Sequence, residues 1–194
     1  MNKKDSHTMK SDDILAVEFD YIAQTATQAN EDRARVSSFY LIAVGSLIAT
    51  LFGTQFFDSG FFTTTVDFML FGVFILLTLL GTSTIVQLAR LRAAWHDSMM
   101  AMNRIKDFAV QRQPDLAQAF LWRTDTLPAK YKKNSISNYQ AIEVGVIGGI
   151  TFAAAMLFLQ FGLGWTSWVH WIISFFIGVL AYWMQLRIYK QILG

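Results

Sequence analysis

Cysteine is absent from the 194 residues, proline occurs twice, and histidine three times, at His7, His96 and His170. Without cysteine there is no disulfide, thiolate zinc site, iron–sulfur ligation or cysteine nucleophile. A histidine metal centre would have to be assembled from distant positions, because such sites need several ligands at once. No metal or other cofactor is therefore expected. Charge is also scarce, at 15% of residues against 54% hydrophobic and 15% aromatic. That is less charge and more apolar surface than a soluble domain carries, so the chain belongs in a bilayer.

Catalytic signatures are missing as well. The sequence contains no P-loop, G-x-S-x-G, H-E-x-x-H or dinucleotide fingerprint. The "GVIGG" beginning at Gly145 lies inside an apolar run and follows no strand, so it is not a phosphate cradle. His96 and Asp97 are neighbours in sequence, and adjacent helical residues do not face each other. No nucleophile accompanies them, and no enzymatic activity is expected.

What the chain does have is four long apolar runs. They cover Val36 to Phe57, Phe68 to Ala89, the stretch beginning after Glu143 and ending at Gly162, and Trp168 to Gln185. At about 1.5 Å per residue, each matches a hydrocarbon core of about 30 Å. The expected fold is all-α, a polytopic membrane protein with four transmembrane helices in two hairpins. "DSGFFTTTV" joins the first pair and "GWTSW" the second.

All sixteen Lys and Arg lie outside both hairpin turns. They occupy the front segment (Lys3, Lys4, Lys10, Arg33, Arg35), the span from Arg90 to Lys133, and the tail (Arg187, Lys190). By the positive-inside rule, both termini and the central segment are cytoplasmic and the membrane is the bacterial inner membrane. The basic beginning "MNKKDSHTMKSDD" lacks an apolar core, so no cleavable signal is expected and the first span acts as the insertion signal. Trp165, Trp168, Trp171, Phe56, Phe57, Phe61 and Phe62 mark the outer interface. The division is then 1–35 cytoplasmic amphipathic helix, 36–89 first hairpin, 90–143 cytoplasmic helix and loop, 144–186 second hairpin, and 187–194 tail.

In "NEDRARVSSFYLIAVGSLIATLFG", residues 30–53, a charged stretch runs into a membrane-length apolar one with no proline between them. Leu15, Phe19, Ile22, Ala26, Ala29, Arg33 and Val36 recur at helical spacing and continue into the span. Leu88, Leu91, Trp95, Met99, Met102, Ile105 and Ala109 form a matching stripe after the second span, ended by Pro114. Both helices are expected to extend below the bilayer side by side. Glu31, Asp32, Arg33 and Arg35 would then meet Arg90, Arg92, His96 and Asp97 in a collar. One reading is a polar rim of mutual salt bridges and phosphate contacts; the other is a collar that couples a cytoplasmic event to the spans.

The spans themselves carry no Asp, Glu, Lys or Arg, which argues against proton relays, voltage sensing and ion-coupled transport. A small transporter would also need a broken helix, and none is signalled. Small residues recur at four-residue spacing instead: Gly45, Ala49 and Gly53 in the first span, and Gly145, Gly149 and Ala153 in the third. This pattern lets helices approach closely, within one chain or between chains. Ser46, Thr50, Thr78, Thr82 and Ser83 are candidates to line a polar path in a homo-oligomer, or else bond back to their own helices.

Trp122, Arg123, Lys130, Tyr131, Lys132 and Lys133 mix aromatic faces with cations. The mixture suits a nucleotide-type messenger, a cytoplasmic partner or anionic lipid. A net charge of only +2 argues against duplex nucleic acid. The helical pair from "FDYIAQTATQANEDRARVSSFYLIAVGSL" through "TIVQLARLRAAWHDSMMAMNRIKDF" resembles the SLATT class of small bacterial membrane proteins and similar four-span effectors. The resemblance is one of architecture over residues 15 to 110; the second hairpin, residues 143 to 186, departs from the plain two-span form. It implies a pore-forming effector in antiviral defence, paired with a cytoplasmic sensor or nucleotide-signal synthase, and assigns no individual residue. Two functions remain in view: an oligomeric effector or ion channel gated from the cytoplasm, and a non-conducting anchor or sensor subunit that recruits a soluble partner.

Overall fold

The computed structural model describes residues 11–53 and 63–194, and these fold into helices without a strand among them. Four long helices follow one another: α1 (Ser11–Gly53), α2 (Thr64–Arg112), α3 (Ile136–Gly162) and α4 (Trp168–Leu193). Each contains a segment long and apolar enough to cross a membrane. At about 1.5 Å per residue, α1 is about 65 Å long and α2 about 74 Å, more than twice a hydrocarbon core. No break occurs where the charged half of α1 meets its apolar half.

Local chemistry sets the ends. Thr63 is extended, and its hydroxyl accepts from the Val66 amide at 3.4 Å, capping α2. Gln113 leaves helical geometry before Pro114, as the residue ahead of a proline tends to do. Pro114–Gln118 then forms one 3-10 turn. Ser135 caps α3 by accepting from Asn138 N at 3.2 Å, so this helix begins before its apolar run. α4 likewise continues past Gln185 to Leu193. The sequence reading expected such overrun for the first two helices alone. Between α3 and α4, Gly164 adopts φ 78°, and Trp165 N donates to Gln160 O at 2.9 Å. A left-handed residue closes that turn, and glycine does so without a Cβ penalty.

α2 is the central element, packing on α1, α3 and α4, while α1 barely reaches α3. α1 and α2 run in opposite directions. Asp12 Oδ1 accepts from Arg112 Nη1 at 3.0 Å at one end, and further along Tyr40 lies across Gly81. The predicted stripes meet between these points, with Ile22, Ala26 and Met102 buried among Phe19, Trp95 and Ile105. The larger core joins Tyr40, Phe74, Leu88, Val144, Ala155 and Tyr189. Outside it, Phe39, Met69, Leu76, Leu79 and Ile150 are exposed within the apolar segments, a surface that lipid would cover. Trp165, Trp168 and Trp171 are exposed at one end of the bundle, Trp165 stacking on His170 at 5.5 Å. Phe56, Phe57, Phe61 and Phe62 lie outside the described residues.

Candidate functional site

α2 carries a second face that the apolar stripe conceals. Arg92, His96, Asn103 and Asp107 recur at spacings of four, seven and four, and so share one side of the helix. Arg92, His96 and Asn103 are buried although polar. What they bury against is the irregular chain between the 3-10 turn and α3, whose carbonyls need donors. Asn103 Nδ2 donates to Arg123 O at 3.0 Å, and Arg92 Nε to Lys130 O at 3.1 Å. His96 Nε2 meets Pro128 O at 3.1 Å; a carbonyl can only accept, so Nε2 carries the proton. Arg123 Nε donates to Asp107 Oδ1 at 2.7 Å, and Thr124 N to Asp107 Oδ2 at 3.3 Å. The segment is a strap that climbs α2 in register.

Arg123 and Lys130 of the strap pair with acids of α2. Thr124 first, and Arg123 second, hold the Asp107 carboxyl below the ordinary carboxylate range, and Asp107 in turn raises Arg123. Lys130 Nζ reaches Asp97 Oδ1 at 3.0 Å, and Lys190 Nζ sits over the Tyr131 ring at 5.8 Å. Lys132 and Lys133 are exposed. Trp122 with Arg123 therefore lies at one end of the strap and Lys130 to Lys133 at the other. The α2 residues that anchor these ends, Asp107 and Arg92, are about 22 Å apart along the helix axis. Trp122 is 48% exposed and Leu121 83% exposed, an apolar tip on an otherwise polar segment.

In the collar, charges of like sign meet. Among the described residues no ion pair joins Glu31, Asp32, Arg33 or Arg35 to Arg90, Arg92, His96 or Asp97. Arg35 instead pairs within its own helix with Asp32, at 3.4 Å, and Asp97 engages Lys130. Glu31 and Arg90 are exposed. Arg33 and Arg92 turn inward, and Arg92 stacks its guanidinium over Trp95 at 4.3 Å. Burial lowers the pKa of both guanidiniums, and the charge of Arg33 lowers that of Arg92 further. Beneath them Ser137 Oγ and Tyr189 Oη share a buried hydrogen bond of 2.7 Å.

The hydroxyl candidates separate into two sets. Thr78 and Thr82 face the bundle interior: Thr78 Oγ1 lies 3.1 Å from Thr151 Oγ1, and Gln185 Nε2 donates to Thr82 Oγ1 at 3.0 Å. Both also donate to their own helix, Thr78 to Phe74 O and Thr82 to Thr78 O, each at 2.9 Å. Ser46, Thr50 and Ser83 are on the outer surface, and Thr50 donates to Ser46 O at 2.8 Å. The small-residue stripes separate in the same way. A Cβ on Gly149 would lie 2.7 Å from Gly178 O, one on Gly145 would lie 3.3 Å from the Tyr182 ring, and Ala153 packs at Gly178. Among the described residues, added Cβ atoms at Gly45 and Gly53 would meet nothing within 4 Å, and Ala49 beside them is exposed.

The strap is the feature the sequence reading missed. Its signal was present as four polar residues on one face of α2, hidden because the neighbouring apolar positions also scan at helical spacing. No known family model, curated protein or solved structure matches the chain.

Proposed function

We propose that the four apolar helices cross the bacterial inner membrane as two hairpins, with both termini and residues 90–143 in the cytoplasm. On this reading, copies of the chain assemble into an effector or ion-conducting channel gated from the cytoplasmic helices, with no catalytic step. The observation that carries it is the continuity of α1 and α2. A helix without a break transmits a tilt or rotation at its charged end into its apolar end, because its backbone hydrogen bonds resist local bending. The outward stripe of Gly45, Ala49 and Gly53 gives copies a surface for close approach. Ser46 and Thr50 share that outer side, so they are the hydroxyls positioned to line a path between copies. A role in antiviral defence rests on the architectural resemblance alone.

Planar-bilayer recording of purified protein tests this reading. Discrete conductance steps that change when Ser46 and Thr50 are replaced by leucine are expected. A silent bilayer, together with a monomeric mass in detergent and in nanodiscs, would overturn it.

A second reading is favoured by one observation, the exposed Leu121–Trp122 tip. Here the chain is a membrane anchor for a soluble cytoplasmic partner. Recovery of a stoichiometric partner from the native membrane, lost in Leu121→Asp with Trp122→Ala, would support it over the channel.

A further inference from the structure

We infer that Arg33 and Arg92 together form a binding site for a phosphate oxyanion, with Tyr189 in its wall. The placement follows from the pairing of α1 with α2. Contacts at Asp12 with Arg112 and at Tyr40 with Gly81 bracket the pair, and between them Arg33 falls opposite Arg92 on the inner faces. Arg92 is 8% exposed, and its Nε is already committed to Lys130 O. Arg33 Nε is buried without an acceptor.

Arg92 meets the strap at Lys130 O, and Tyr189 of α4, bonded to Ser137 of α3, is the phenol that acts on both guanidiniums. Of the collar carboxylates, Asp97 engages Lys130, Asp32 engages Arg35, and Glu31 is exposed. Two guanidiniums drawn partly out of water repel one another unless an anion lies between them. The depression of Arg92 by Arg33 is the sign of that repulsion. A phosphate offers several oxygens to two planar forks, the geometry in which arginine binds oxyanions through paired hydrogen bonds.

The depth of the site fits the same ligand. Arg33 precedes the apolar run by three residues and Arg92 follows one by three. Each therefore lies about 5 Å outside the hydrocarbon, where headgroup phosphates reside. The phosphate could belong to an anionic lipid or to a small soluble molecule, and the chemistry of recognition is the same. The inference does not require that the protein conduct ions.

The test uses the full chain in phosphate-free detergent and in nanodiscs, comparing wild type with R33Q/R92Q and with R35Q, an exposed arginine of the same collar. Tryptophan-fluorescence unfolding is followed in inorganic phosphate against sodium chloride of equal ionic strength. It is followed in parallel in phosphatidylcholine nanodiscs with and without phosphatidylglycerol, and native mass spectrometry counts retained phosphatidylglycerol. Wild type and R35Q are expected to show a saturable rise in Tm, and R33Q/R92Q none. A response to inorganic phosphate assigns the site to soluble phosphates, and one confined to phosphatidylglycerol, with one or two lipids retained, assigns it to a headgroup. If the double variant does not fold, R33Q alone is expected to bind at least tenfold more weakly while remaining as stable as wild type without ligand. An equal response in R33Q and wild type, or no response of wild type either to inorganic phosphate beyond that to sodium chloride or to phosphatidylglycerol, would overturn the inference.

Discussion

Gly149 and Gly178 hold α3 and α4 at backbone contact: a Cβ built on either lies 2.7 Å from the carbonyl oxygen of the other. Backbone cannot give way as a flexible side chain can. Gly149→Ala and Gly178→Ala are each expected to destabilise the bundle by about 1–3 kcal/mol, the usual cost of overpacking. Reversible unfolding of the purified protein, monitored by tryptophan fluorescence, measures this directly.

Gly45 and Gly53 make the opposite prediction, since no atom of the described residues comes within 4 Å of a Cβ built on either. Gly45→Leu should leave the unfolding of the single chain within about 0.5 kcal/mol, as outward-facing substitutions usually do. It should also break up the assembly proposed above. Native mass spectrometry of the variant in detergent separates the two effects, and an unchanged oligomer would exclude this face as the contact.

The Asp107–Arg123 pair predicts how the strap responds to pH. Asp107 has a lower pKa folded than unfolded, so its contribution is present above the ordinary carboxylate range and is lost as pH falls through the depressed value. Protection against hydrogen exchange across residues 121–133, taken relative to the intrinsic rate at each pH, should fall severalfold over that interval. Asp107→Asn should reproduce the lower protection at neutral pH and abolish its acid dependence.

Ser137 and Tyr189 share a buried hydrogen bond at the floor of the arginine pair. Tyr189→Phe strands the serine hydroxyl, and Ser137→Ala the phenol, so each is expected to cost about 1–2 kcal/mol. The double variant should cost less than the two single effects together, because neither partner is left unpaired. Additive costs would show that the bond is not stabilising.

The strap shows where sequence reasoning stopped. Leu88, Trp95 and Met102 announce a helix face by apolar recurrence, and that face packs on α1. Arg92, His96, Asn103 and Asp107 recur as regularly, yet polar residues on a helix ordinarily face water, so nothing local marks them as buried. Their partners are backbone carbonyls of a loop up to 38 residues away, which carry no side-chain signature. The collar was legible to the same depth. Arg33 and Arg92 could be placed at one level by counting from the apolar runs, but which charges turn inward depends on the rotation of α1 against α2.

Composition and helical periodicity by themselves determined that this is a helical chain with four membrane-length segments, and that the first two helices continue unbroken beyond them. Those properties are local: hydropathy summed over about 20 residues, the recurrence of apolar positions, and breaks at Pro114 and Gly164. Tertiary structure alone decided that the stripe of α3 is consumed within the chain while that of α1 faces outward. It also turned Thr78 and Thr82 inward and brought Arg33 before Arg92. Each of these outcomes depends on which helix occupies the adjoining space, and a small or polar residue packs equally well against more than one neighbour until that neighbour is in place.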